Sequence, residues 1–478
     1  MNKNLKEKTI YALLWSLFDR FGQQILIFVV NIIVSNILSV DDYALTGSLA
    51  LFTALGTIML DSGFSSALIQ KIDVSKEEYK SVFVFNITIS IILFIILCLS
   101  TPLIANFYDK KELLYIAPLV FLALPINSLG IIQNTILTKE VRFKELAKIN
   151  VITTFISGIA SLTMALSGFG VWTLAVQPSI IAFVRVILLW KRSSWRPQGE
   201  YGLKYIKPLF SFASHLLLAS TINTVFNNIY YFIIGKVYFR QVGYYNNANK
   251  ISEMGVGFLH TSIQSATYPI FSSIQNETER LINAFRKTIR FTSFISFPAM
   301  AGIAIISTPF IHLILKEEWW PCIPYIQVLA IGGIFTILTA VNNNFIKVIG
   351  KSNIILRIEF IKIILIFTAI ALTIKSSILV MLEAQAVVRI MVYIINIYYS
   401  GKFTGYKFHL QLKDIFPYIV LTLMMTFISL IPICFISSDF LLLPLQIVLG
   451  ILSYSLGAFL TGSKIMKESI DFILKKRT

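Results

Sequence analysis

Arg20, Lys250 and Arg389 are the residues whose type and position most constrain what this chain can do. Each lies well inside an otherwise apolar run, as do Asp19, Asp61, Glu253 and His215. An ionised side chain at the centre of a bilayer costs roughly 2.5–3.5 kcal/mol on insertion scales, so it faces a partner or a water-filled cavity. Arg20 stands about eleven residues into its run, near mid-membrane at roughly 1.5 Å per residue, and Lys250 is similarly deep. Cations so placed can neutralise an anion that has left water. The acids and His215 are candidate sites for a coupling proton or cation, or charge-balancing partners, Asp61 for Arg20 and Glu253 at i+3 for Lys250. Arg389 either lines the same cavity, meets a carboxylate on a neighbouring helix or snorkels. Arg185, a turn and a half before Trp190-Lys191, is expected to snorkel to the interface, and Lys362 to do the same.

Covalent and metal chemistry find no support. Cys98, Cys322 and Cys434 are odd in number and none stands in a CxxC or Cys/His cluster. No acid pair, Ser/His/Asp set or metal-spaced cluster occupies a water-facing segment. Gly350-Lys351-Ser352 matches the end of a Walker motif, but the position five before Gly350 is Phe345 and the segment closes an apolar run. The chain is therefore not expected to be an enzyme or to hydrolyse ATP. No metal or cofactor is called for, and any driving force is a proton or sodium gradient or the membrane potential.

The elements that must carry these residues are transmembrane helices. Of 478 residues, 56% are hydrophobic and 14% charged, where soluble proteins have about 25% charged. Runs of roughly 20 apolar residues recur fourteen times, at about 9–37, 43–68, 81–106, 114–138, 148–168, 170–190, 207–235, 241–270, 289–315, 320–346, 354–374, 377–399, 414–437 and 440–462. The eighth is unusual, because residues 244–250 read Tyr-Tyr-Asn-Asn-Ala-Asn-Lys. The first run carries Asp19, Arg20, Gln23 and Gln24 and has no small-residue cleavage site, so it is read as a helix and not a signal peptide.

With the N-terminus in the cytoplasm, thirty of the 41 Lys and Arg residues fall on inside segments and six outside. The positive-inside rule then places both termini and the 69–80, 139–147 and 191–206 connections in the cytoplasm. It also accounts for most of the net charge of +17, so nucleic acid is not expected as a partner.

An internal repeat is visible. Asp109-Lys110-Lys111-Glu112, Leu122-Ala123-Leu124, Asn134 and Lys139 recur about 207 residues later as Lys316-Glu317-Glu318, Leu329-Ala330-Ile331, Asn342 and Lys347. Two parallel six-helix units follow, residues 1–200 and 201–400, with an extra helix pair and short basic tail in 401–478. Transporters built from such repeats place their substrate site between the halves, so Arg20 and Lys250, in the first two helices of opposite halves, are expected to share a polar cleft.

Several segments resemble the polysaccharide-transport branch of the multidrug/oligosaccharidyl-lipid/polysaccharide flippase superfamily. They are residues 138–147 (Thr-Lys-Glu-Val-Arg-Phe-Lys-Glu-Leu-Ala), Gly168-Phe169-Gly170-Val171-Trp172-Thr173-Leu174 with Ser194-Trp195-Arg196-Pro197, and Tyr268-Pro269-Ile270-Phe271-Ser272 followed by Gln275-Asn276-Glu277 and residues 297–302. The resemblance runs from about residue 8 to 400. It implies an all-α bacterial inner-membrane protein that flips a polyprenyl-pyrophosphate-linked oligosaccharide to the outer leaflet by alternating access, for O-antigen, capsule or exopolysaccharide assembly. On that reading Arg20, Lys250 and Arg389 meet the pyrophosphate, and the partners are lipid-linked oligosaccharide, membrane lipids and other polysaccharide assembly proteins. The competing readings are a drug/cation antiporter of the same superfamily, against which the mid-membrane cations argue, and a glycan polymerase or ligase, for which no large outer loop exists.

Overall fold

Most of the apolar runs form one long helix each, and several carry a proline inside it, among them Pro102, Pro178, Pro208, Pro269 and Pro298. Twelve such helices are α1 (Gly22–Ile37), α5 (Lys76–Tyr108), α9 (Phe143–Leu166), α10 (Val171–Arg192), α11 (Leu203–Val237), α12 (Phe239–Ser273), α13 (Thr278–Ile314), α14 (Ile323–Val348), α15 (Ser352–Thr373), α16 (Ile378–Thr404), α17 (Phe408–Leu430) and α18 (Asp439–Leu460). The computed structural model describes residues 22–61, 63–71, 73–463, 465 and 466. Asp19 and Arg20 lie outside them. For Asp61 and His215 the helix is described and the side chain is not. Every regular element among the described residues is helical, as expected.

Two expected spans are broken. The run at 43–68 becomes α2 (Val40–Ser48), α3 (Ala50–Asp61) and α4 (Phe64–Gln70). A capping box starts α2: the Ser39 hydroxyl accepts from the Asp42 amide (3.2 Å) while the Asp42 carboxylate accepts from the Ser39 amide (2.9 Å). Gly63, at φ 72°, separates α3 from α4, and a Cβ there would stand 2.6 Å from the Ala213 carbonyl of α11. Only glycine meets both the dihedral and the approach. The run at 114–138 becomes α6 (Leu113–Phe121), α7 (Ala123–Ser128) and α8 (Ile131–Lys139), with a 48° bend after Ser128.

Nine helical segments among the described residues are long and apolar enough to cross a membrane, ten when the bent pair counts as one span. Among the described residues each expected run coincides with a helix or a set of helices, although α11, α12 and α15 are not among the nine. Surface apolarity agrees: Ile91, Ile92, Ile95, Ile96, Leu99 and Leu103 stand exposed along α5, and Leu99 keeps 75% of its surface accessible. In water a continuous face of this kind would drive association. In a bilayer it meets lipid.

Contacts divide the chain into two units, one ending at Asn246 and the other beginning at Asn247. In the first, a core of Leu49, Ile104, Tyr108, Phe121 and Ala175 joins α2, α5, α6 and α10. Phe232 of α11 stacks on Phe107 of α5 at 4.7 Å, and the first turns of α12 pack beside α2, where Gly47 faces Val242 and Asn246.

In the second unit α13 is the central element. At 37 residues and about 1.5 Å each it exceeds the roughly 30 Å hydrocarbon thickness, so its basic first turns project beyond the membrane. The α17–α18 pair docks on it through Tyr418, Leu421, Met425, Tyr454 and Ala458 against Phe294, Ala301 and Ile305. Polar links hold both ends: Arg286 and Arg290 grip Asp414 of α17, and His312 lies 3.0 Å from Asp439 of α18.

Candidate functional site

Adjacent glycines in the middle of α14 build the charged site of the second unit. A Cβ on Gly333 would overlap Val256 of α12, and one on Gly332 would stand 3.3 Å from Cδ of Arg389 of α16. Two neighbouring helices thus approach α14 on either side of one Gly-Gly step. Glu253 sits one turn before Val256 on α12, so its carboxylate falls within electrostatic reach of the Arg389 guanidinium. Lys250, three residues earlier on α12, is exposed, as is Glu253, while Arg389 is half-buried. Arg389 thus stands beside Glu253 electrostatically, in addition to the Lys250 that shares its helix at i+3. The three side chains carry a net positive charge on the two helices.

The face of α16 that bears Arg389 is polar along its length. Gln385, Arg389, Tyr393, Asn396 and Ser400 follow one another at steps of four, four, three and four, which is one face of a helix. Gln385 Oε1, Tyr393 Oη and Asn396 Oδ1 are buried and, among the described residues, have no hydrogen-bond partner. Buried polar atoms are normally satisfied, and a row of unused ones can solvate a charged group. Ser400 continues the row into a network: it donates to Asn342 of α14 (2.8 Å) and accepts from Gln411 of α17 (3.3 Å).

Gln411 leads to a cluster that sequence reasoning missed. Asp414, whose side chain is 9% exposed, accepts from Arg286 (3.1 Å), from Arg290 and from the Tyr406 hydroxyl. Arg286 also stacks on the Tyr406 ring at 4.9 Å. The sequence places both arginines among the inside cations, and their i,i+4 spacing on a helix that outlasts its apolar run was the available signal. The other missed feature is Gly332-Gly333, whose signal was two glycines where an unbroken helix was expected.

The remaining sequence candidates resolve as follows. Arg185 donates to Asn134 Oδ1 of α8 at 3.2 Å, so part of the guanidinium turns inward rather than only snorkelling. Lys362 pairs with Glu359 at 3.0 Å. Lys139 caps the end of α4 by donating to the Leu68 carbonyl (3.0 Å) and to that of Lys71. Gly350, at φ 71°, closes α14 and makes no phosphate-binding loop. Among the described residues no group of three or more His, Cys, Asp or Glu is placed to hold a metal ion.

Comparison with known proteins decides the family. The sequence profile described as "Polysaccharide biosynthesis protein" matches residues 33–324, more than half of the chain. The chain belongs to the polysaccharide biosynthesis protein family. Among similar proteins is the teichuronic acid biosynthesis protein TuaB of Bacillus subtilis, 28% identical over 315 residues, which span 63% of each chain. The lipopolysaccharide biosynthesis protein WzxC of Escherichia coli is 24% identical over 339 residues, 69% of this chain and 68% of its own. In structure this family member has the fold of the lipid II flippase MurJ in an inward closed conformation: TM-score 0.80, 15% identity, 96% of this chain and all of that one. The resemblance read from residues 138–147, 168–174 and 268–277 is borne out, as is a multi-pass membrane protein. The matched region takes in Lys250 and Glu253 and stops before Arg389.

Proposed function

We propose that this member of the family is a carrier that moves a polyprenyl-pyrophosphate-linked oligosaccharide from the cytoplasmic to the outer leaflet of the bacterial inner membrane, with both termini cytoplasmic. It serves O-antigen, capsule or exopolysaccharide assembly alongside other proteins of that assembly. The observation that carries this reading is the approach of α12, with Lys250 and Glu253, and of the apolar helix α16, with Arg389, to Gly332-Gly333 of α14 in a polysaccharide biosynthesis protein.

The physical argument concerns the head group. A pyrophosphate drawn toward the bilayer centre loses its hydration, at a cost of many kcal/mol unless fixed positive charge and polar groups replace water. Arg389 offers a planar fork to two phosphate oxygens, and Lys250 a point charge. The Gln385–Ser400 face of α16 supplies polar atoms for hydroxyl-rich cargo. Glu253 balances Arg389 in the absence of cargo. It is also the carboxylate through which a proton or sodium gradient would be coupled, since neutralising it frees the guanidinium for an anion. Alternating access exposes such a group to one side at a time while the lipid tail stays in the bilayer.

The test is complementation of a strain lacking its own flippase, read as surface polysaccharide at matched membrane expression. Arg20→Ala removes most transport and Arg20→Lys keeps part of it. Lys250→Ala and Arg389→Ala each reduce transport. Normal complementation by all three alanine variants would end the assignment of these cations to the head group.

A further inference from the structure

The bend after Ser128 leaves a recess beside the basic end of α10, and the chemistry of its wall differs from that of the charged site described above. It has a volume of about 470 Å3 and is lined by Leu129, Val186, Ile187, Trp190, Lys191 and Arg196. Leu129 and Ile187 are exposed, at 37% and 39%, so the apolar wall opens outward on the surface of the first unit. The Trp190 indole donates to the Leu129 carbonyl at 2.8 Å, which fixes the ring as the recess floor.

Two cations line the recess. Arg196 donates to the carbonyls of Ser193 (2.8 Å), Trp195 (2.8 Å) and Trp190 (3.2 Å), and its guanidinium carbon lies 5.3 Å from the Trp190 ring centre. Those bonds use three of its five N–H groups and hold it in place at the end of α10. Lys191 is exposed and, among the described residues, makes no hydrogen bond or ion pair, whereas its neighbour Arg192 is paired with Glu145 at 3.5 Å. No carboxylate lines the recess.

We propose that this recess binds one anionic phospholipid, its phosphate between Lys191 and Arg196 and an acyl chain along Leu129, Val186 and Ile187. An uncompensated pair of cations selects against a zwitterionic head group, and an apolar wall that opens outward selects against a small water-soluble anion. The location fits the ligand: Trp190 and Lys191 in the last turn of α10, with Arg196 just beyond it, lie at head-group level, where basic residues are attracted to anionic lipid.

The experiment uses the full chain purified in detergent and titrated with phosphatidylglycerol or phosphatidylcholine, bound lipid being counted by native mass spectrometry. The wild type retains phosphatidylglycerol at least fivefold better than phosphatidylcholine. Lys191→Gln abolishes most of that preference, and Val186→Trp, which fills the recess, reduces retention of both lipids without altering the size-exclusion profile. Lys76→Gln, an exposed cation in the first turn of α5, leaves the preference intact. Equal retention of the two lipids by the wild type would overturn the proposal. So would a Lys191→Gln variant that behaves like Lys76→Gln, or displacement of the lipid by inorganic phosphate alone.

Discussion

The segment 109–139 and the segment 316–347 carry the same sequence landmarks and fold differently. In the first, Pro118, Pro125 and Gly130 interrupt the helix and the chain bends by 48°. The carbonyl of Leu129, freed by the bend, is capped by the Trp190 indole, as a kink requires. In the second, Pro321 and Pro324 stand at the very start, where proline is tolerated, and α14 runs unbroken for 26 residues. Yet Asn134 and Asn342 do comparable work: the first accepts from Arg185 of α10, the second from Ser400 of α16. In each unit the landmark asparagine binds a later helix of the same unit.

The difference concerns what each helix makes room for. The bent segment turns its glycine toward α10: a Cβ on Gly130 would sit 2.9 Å from Leu189 and 3.2 Å from Val186. It leaves an apolar recess at one end. The straight segment uses Gly332-Gly333 to draw α12 and α16 close along its middle, and so gathers Glu253 and Arg389. Prolines bend the helix and open a surface; glycines without prolines tighten the packing around charge.

This contrast can be broken most strongly at Gly333. Gly333→Leu places a branched side chain where Val256 already sits. Overpacking should cost about 3 kcal/mol and lower the thermal midpoint in detergent by several degrees, whereas Gly130→Ala meets only the flexible ends of Leu189 and Val186 and should shift it much less. Equal shifts would mean that the two glycines do the same job.

The next largest effect is expected at Asp414. Asp414→Ala strands Arg286 and Arg290 at the edge of α13, and because both arginines remain partly exposed the loss should be about 2 kcal/mol, below the range for a fully buried pair. The check is again the detergent thermal midpoint, with Asp414→Asn, which keeps an acceptor for Tyr406, expected to lose less.

Asn342→Ala and Asn134→Ala sharpen the repeat comparison directly. Asn134→Ala removes one side-chain hydrogen bond and Asn342→Ala two, each worth about 1 kcal/mol. Asn342 is fully buried, and its loss removes both its own bond to the Leu338 carbonyl and an acceptor of Ser400, so it should cost more than Asn134. A larger effect at Asn134 would reverse the assignment of weight between the two bundles. Trp190→Phe should have the smallest effect, under about 1 kcal/mol, since it removes only the indole cap of the Leu129 carbonyl and keeps the ring over the recess.

Membrane residence, the all-helical class and the family resemblance were legible from the amino acids alone. The reason is that the bilayer demands long apolar segments with internally satisfied backbone, a condition that each stretch of chain meets or fails locally. Glu253, Lys250 and Arg389 stood out for the same local reason: charge is expensive in an apolar run. Their relation was not local. Lys250 and Glu253 share a helix at a spacing that suggests a pair, but Gly332 and Gly333 bring Arg389 to Glu253 from a helix more than a hundred residues away. Likewise Arg286 and Arg290 counted only among the inside cations, and it is the packing of α13 against α17 that brings both to Asp414. Which acid meets which cation depends on how closely two backbones approach, and that distance is set by the side chains absent from a third helix.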